Sequence, residues 1–262
     1  MKKILALTLA VVMCFLMLSA CAKKKDTLVI GYTVYEPMNY TDENGELIGF
    51  DTEFAKAVCE KLGYEPVFQE INWNNKYQEL NSGAIDCIWN GFTSNCADDD
   101  GTQRSEKVDF SYAYMINEQC VVIRSADSAI YTTKESLAGK TSSAENGSAG
   151  ESYAKEFAGD NGKFIGKTAQ KDTLTELISN TADFAVIDKT MAKTIIGKGD
   201  YSSLMIVDSI VIESEEYSIG FKKGSDLTAK VNGAIKELAA DGTLARLAEK
   251  YGLSNWLITD YN

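Results

Sequence analysis

Gly45-Glu46-Leu47-Ile48-Gly49-Phe50-Asp51 opens a stretch that runs through Phe54, Val58 and Leu62 to Gly63, and its reading decides the fold class. Asn44-Gly45 tolerates the positive φ of a tight turn, so the short segments flanking Glu43-Asn44-Gly45 predict a hairpin. Asp51 can cap a helix whose Phe54, Val58 and Leu62 recur on one face, and Gly63 ends it. Outward from this unit, Thr27 to Gly31, Val67 to Ile71 and Ile85 to Trp89 read as strands, with a helical stretch carrying Tyr77 and Leu80 between the last two. After Val121-Val122-Ile123 the alternation begins again. Ser148 to Ala158, Asp172 to Ser179 and Lys189 to Ile196 read as helices, Phe164-Ile165 and Phe184 to Ile187 as strands. Leu227, Val231, Ile235 and Leu238 trace one late helical stripe; Leu244, Leu247, Ala248 and Tyr251 trace another. Such alternation predicts an α/β chain with mostly parallel strands.

Composition bounds the rest. The 262 residues are 45% apolar and 24% charged, which suits one large or two ordinary folded domains and excludes a disordered chain. Lys and Arg number 26 against 38 Asp and Glu, a formal net charge of -12, and no basic stripe relieves it. Nucleic acid is therefore not an expected partner. The chain has no His, which removes Ser-His-Asp catalysis, imidazole acid-base chemistry and His-ligated zinc together.

Residues 1–20 read as a secretion signal: Lys2 and Lys3, an apolar run from Ile4 to Leu18, then small residues. Leu18-Ser19-Ala20-Cys21 looks like the lipobox of bacterial lipoproteins, which implies lipidation of Cys21 and a short tether over residues 21–26. Several acyl chains would hold the protein at the outer face of the cell membrane, where one alone gives marginal binding. The remaining Cys59, Cys87, Cys96 and Cys120 show no Cys-x-x-Cys spacing, so neither a metal nor a cofactor is expected. Cys59 and Cys87 read as small buried hydrophobes; Cys96 and Cys120 read equally as a disulfide or as two thiols.

The order of several further segments is specific. The hairpin-helix unit is followed by Asn81-Ser82-Gly83-Ala84-Ile85-Asp86, Gly91-Phe92-Thr93 and Arg104-Ser105-Glu106-Lys107-Val108-Asp109-Phe110-Ser111. Then come Gly147-Ser148, Ala182-Asp183-Phe184-Ala185-Val186-Ile187-Asp188 and Glu216-Tyr217-Ser218-Ile219-Gly220-Phe221. This series, spanning residues 26 to 255, resembles the polar-amino-acid solute-binding proteins of ABC importers. The resemblance implies the type II periplasmic-binding-protein fold, two α/β lobes joined by two crossover strands near Glu118 to Ile123 and Glu213 to Phe221. Residues 27–117 with 218–262 would form lobe one, and residues 118–217 lobe two. It further implies a monomer that binds a free L-amino acid and delivers it to a membrane permease. A dehydratase-type enzyme on the same scaffold and a ligand sensor are the alternatives; no pair of catalytic carboxylates marks the former.

A free amino acid offers a carboxylate, an ammonium and a variable side chain, so its receptor needs an anion clamp, an anion and a shaped wall. Arginine's planar fork suits a carboxylate. Of the three arginines, Arg246 lies in a surface-type helix and Arg124 just past a crossover strand, which leaves Arg104, the residue matching the family's carboxylate-binding arginine. Ser148-Ala149-Gly150-Glu151 is a capping box whose free N–H groups suit an anion, although capping alone explains it too. Many relatives carry a hydroxyl residue where Ala149 stands. Asp188 matches the acid that pairs with the ligand's ammonium, and would equally suit a helix N-cap. The resemblance also implies Thr93 and the Gly91 backbone as contacts to the carboxylate and the ammonium, and Tyr35 and Trp73 as aromatic walls.

Thr33, Glu36, Asn90 and Gln170 are candidates for facing the ligand's side chain, where a single acidic residue would convert a neutral site to a cationic one. One departure bears on the site. Ser94 to Gln103 is an insertion relative to the family's short spacing between threonine and arginine, and it puts the reach of Arg104 in question. Asp98, Asp100 and Gly101 fall at calcium-loop positions, but Cys96 and Lys107 occupy the flanking ligand positions. The acidic run therefore reads as a solvated surface loop.

Overall fold

The computed structural model describes residues 26–261; the leader, Cys21 and nearly all of the tether lie outside the described residues. The chain begins with β1 (Thr27–Tyr32), the hairpin β2 (Tyr40–Thr41) and β3 (Leu47–Ile48), and α1 (Phe50–Leu62). There follow β4 (Glu65–Glu70), α2 (Lys76–Ser82), β5 (Cys87–Thr93), the short α3 (Arg104–Lys107) and β6 (Asp109–Phe110). Next, β7 (Met115–Arg124) leads to β8 (Thr141–Glu145), α4 (Ala149–Ala158), β9 (Lys163–Lys167), α5 (Gln170–Ile178), β10 (Phe184–Asp188) and α6 (Lys189–Ile195). The chain closes with β11 (Leu204–Ile206), β12 (Ser214–Phe221), α7 (Leu227–Ala240) and α8 (Thr243–Lys250).

Strand order across the molecule is β4-β1-β5-β12-β7-β10-β8-β9. Two α/β groups of strands are thus joined through β7 and β12. The first half of β12, Ser214 to Tyr217, pairs antiparallel with Met115 to Glu118 of β7, while its second half pairs with β5. Conversely, the later half of β7 pairs with β10. Each crossover strand therefore belongs to one group at one end and to the other group at the other end. Parallel pairing is confined to β1 with β4 and β5, and to β8 with β9 and β10. The expected predominance of parallel strands is corrected. Helical crossovers make the parallel pairs within each group, but wherever the chain passes between groups its strands run side by side in opposite directions.

Packing follows the predicted stripes. Phe54 and Val58 of α1, Val231, Ile235 and Leu238 of α7, and Leu244 and Ala248 of α8 are buried in one cluster with Leu28, Ile30 and Trp89. Burying a residue such as Phe54 contributes about 1.5–3 kcal/mol. A second cluster joins Val121 and Ile123 of β7 to Phe157, Phe184 and Val186. Asp51 does not cap α1. The N-cap is Gly49, whose φ of 120° admits little but glycine, and Asp51 is the second residue of the helix, fully buried. Cys59, Cys87 and Cys120 are buried and Cys96 half-buried, all four as free thiols.

Candidate functional site

One narrow polar cleft lies between the two groups of strands, nearly closed, with a free volume of about 10 Å³. The β1-β4-β5 side contributes Trp73, Asn90, Gly91, Thr93 and Arg104; the crossover strand β7 contributes Gln119; Glu145, Ser148, Ala149, Gln170 and Asp188 line the far side. β5 and β10 end here, as do β8 and the first turn of α4, because ligand sites in open α/β sheets gather beyond the carboxyl ends of strands.

The insertion does not carry Arg104 away. Its residues fold back so that Arg104 opens α3 at 1% exposure. Arg104 Nε donates to Asp98 Oδ1 at 2.8 Å, Nη1 to the Thr93 carbonyl at 3.0 Å and Nη2 to the Gly147 carbonyl at 3.2 Å. These bonds use three of the five donors of a guanidinium, leaving two. Asp98 also accepts from Lys107 at 2.9 Å. Burial by itself would raise the Asp98 carboxyl; the charge of Arg104 and the Lys107 bond outweigh it and hold the pKa at about 2. The reading of this run as solvated is therefore corrected at Asp98, whose carboxylate is the counterion of a buried arginine, while Asp99 and Asp100 stay exposed.

Asp188 precedes α6 but makes no side-chain cap bond. Instead its Oδ1 accepts from Asn117 Nδ2 at 2.7 Å and Gln119 Nε2 at 2.6 Å, and Oδ2 accepts from Gln170. The same Asn117 and Gln119 amides donate to Glu215 Oε1 at 2.6 and 2.8 Å. Two carboxylates thus share two donors. Burial raises both, and Asp188's charge raises Glu215 further. Such a pair holds a cation readily, because a positive charge in the cleft lowers the cost of ionising both.

Ser148 caps α4, its Oγ accepting from the Glu151 N–H at 3.1 Å, and the Glu151 carboxylate reaches the N–H of Gly147. The capping box is displaced by one residue, and Ala149 follows at the helix's first position, where its N–H has no intrahelical acceptor. Gly91 has a φ of +57° and gives its N–H to Asp51 Oδ2 at 2.7 Å. Only its carbonyl is then left for an ammonium. Asp51, held also by Tyr114 Oη at 2.9 Å, has its pKa raised to about 7, by burial first, against these bonds.

Four sequence candidates are placed differently from expectation. The Asn90 amide borders the cleft but is spent on Thr33 and Asn39, donating to Thr33 O at 2.9 Å and Asn39 Oδ1 at 2.7 Å and accepting from Thr33. Tyr35 is not among the cleft-lining residues. Its ring lies behind Gly91, with its hydroxyl bonded to Tyr217 Oη at 2.7 Å and to Thr190 across the lobes. Thr33 and Glu36 border other hollows of the surface. Trp73 lines the cleft, edge-on to Phe92 at 5.4 Å.

Gln119 and Glu145 were not anticipated. Asn117 and Gln119 stand two apart on one face of a strand that is otherwise largely apolar, the signal that would have found them. Glu145 ends β8 just before the helix start, the position at which a strand meets a ligand. Lys76 was missed as well. It is 2% exposed, its Nζ donates to the Gly147 carbonyl at 2.8 Å, and burial, with Arg104's charge, lowers its pKa to about 7.

Residues 28–254 match the model of the bacterial extracellular solute-binding proteins, family 3. The arginine-binding extracellular protein ArtP of Bacillus subtilis is 31% identical over 260 residues, covering 96% of this chain and 98% of that protein. The L-cystine-binding protein TcyJ of Escherichia coli is 26% identical over 87% of this chain and 84% of its own. Among solved structures, an ancestral arginine-binding protein bound to arginine superposes with a TM-score of 0.78 at 30% identity, over 87% of this chain and 98% of that one. These relatives are named as binding proteins. The family match over nearly the whole described chain, together with the two-lobed fold and its cleft, places this protein among the bacterial extracellular solute-binding proteins, family 3.

Proposed function

We propose that this chain is the extracytoplasmic, lipid-anchored binding protein of an ABC importer, and that it closes on one free L-amino acid and presents it to the permease. Residues 27–117 with 218–262 form one gripping lobe and residues 118–217 the other. Arg104, with Thr93 and the N–H groups at Ser148 and Ala149, receives the carboxylate. Asp188 and the Gly91 carbonyl receive the ammonium, Trp73 forms the wall, and Tyr35 and Asn90 shape the cleft from behind. Cys21 carries the lipid.

The observation that carries this reading is that Arg104 and Asp188, 84 positions apart by their numbering, line one cleft from opposite lobes. Relatives whose names specify arginine, cystine or histidine support the ligand class. No helix among the described residues is long and apolar enough to cross a membrane; the proposed attachment is the lipid on Cys21. A thermal-shift screen against the common amino acids tests the reading. A ligand at 100 times its dissociation constant stabilises by about 2.7 kcal/mol; no shift with any amino acid would count against it. Loss of the protein from the membrane fraction on Cys21→Ala tests the anchor.

A further inference from the structure

Resting on the amino-acid reading above, we propose that the ligand's side chain is cationic and that the Glu145 carboxylate is the group that receives it. Glu145 closes β8 and lines the same cleft as Arg104 and Asp188. It is 3% exposed, and its Oε1 has no hydrogen-bond partner. Buried carboxylates are ordinarily paired, and an orphan of this kind costs free energy that some partner must recover. Of the two acids that line the cleft, Asp188 has donors on both oxygens whereas Glu145 Oε1 has none; the other buried carboxylate oxygen without a partner among the described residues, Asp51 Oδ1, lies outside the cleft lining.

The charges around the cleft point the same way. Arg104 is already opposed by Asp98, and Lys76 directs its ammonium to the carbonyls of Gly147 and Trp73. Asp188, Glu145 and Glu215 remain as three buried acids with Lys76 as the nearby cation. Burial, and after it the charge of Asp188, push the Glu145 carboxyl well above the usual range. A zwitterion uses Arg104 and Asp188 and adds no net charge, whereas a guanidinium or ammonium at the end of the side chain supplies the missing positive partner. A charge-assisted hydrogen bond to Glu145 Oε1 then gives that buried oxygen the partner it lacks.

Titration calorimetry with L-arginine, L-lysine and L-citrulline, the uncharged isostere of arginine, separates the possibilities. The unaltered protein is expected to bind arginine or lysine at least tenfold more tightly than citrulline. Glu145→Gln, equal in size, is expected to weaken the cation at least tenfold and leave citrulline within about threefold. Preference for citrulline in the unaltered protein overturns the proposal, and that comparison needs no variant to fold. An unchanged arginine-to-citrulline ratio in Glu145→Gln also overturns it. Both results leave the amino-acid reading standing, whereas binding of none of these nor of any other common amino acid sinks that reading itself.

Discussion

Replacing Asp188 by Asn removes the negative charge proposed to meet the ligand's ammonium while keeping the side chain's size. Asp188 is 5% exposed and held by three side-chain amides, from Asn117, Gln119 and Gln170. Truncating one partner of a buried, hydrogen-bonded charge pair costs about 2–5 kcal/mol. At about 1.4 kcal/mol per tenfold, that is a loss of affinity from roughly thirtyfold to several-thousandfold. The fold should respond differently. Without ligand, Asp188 and Glu215 compete for the same Asn117 and Gln119 donors, and both pKa values are raised. A carboxyl raised in the folded state binds its proton more readily than the unfolded chain does, so its contribution to stability is largest at low pH. That contribution declines as pH climbs through the unfolded value near 4. Asp188→Asn removes this decline and relieves the repulsion, at the cost of one mismatched amide contact with Gln170. The unliganded variant should therefore melt within about 4 °C of the parent at pH 7. Titration calorimetry with the amino acid found by screening, paired with unliganded melting curves, reads both quantities. An affinity within threefold of the parent's would refute the assignment of Asp188, and a collapse of the unliganded protein would show its role to be structural.

Gly91→Ala should destabilise the protein by about 1–3 kcal/mol in chemical denaturation, because φ is +57° and a Cβ would meet Tyr35 Cε1 at 2.7 Å; a neutral effect would contradict the close approach. Asp98→Asn should cost about 2 kcal/mol at pH 7, the worth of lowering its pKa from 3.8 to about 2. The parent should lose that amount between pH 4 and pH 2, and the variant should not. Asp51, raised to about 7 by burial, has the opposite sign. Denaturation of the unliganded parent should show stability falling by up to about 4 kcal/mol as pH rises from 4 to 7, with Asp51's share absent in Asp51→Asn.

Local chemistry made much of this molecule legible. Phe54 and Val58, Val231 and Ile235, and Leu244 and Ala248 recur at helical spacing and are buried where that spacing puts them, because which face of a helix turns inward is a property of a dozen consecutive residues. The motif order around Gly91-Phe92-Thr93, Arg104 and Asp188 likewise pointed to the family before any contact was known. Strand direction was less legible, since pairing joins segments a hundred residues apart and the two crossover strands reverse what helical crossovers alone would produce.

What one dimension determined, then, is the set of elements, the family and the two ions proposed to hold a zwitterion. The fold alone decided how each polar group is spent: Asn90 on Thr33 and Asn39, Tyr35 on Tyr217 and Thr190, Arg104 partly on Asp98. It alone left Glu145 Oε1 buried without a donor. The physical reason is that burial and hydrogen-bond satisfaction depend on every neighbour in space, and the neighbours of residue 145 come from segments that the chain order keeps far apart.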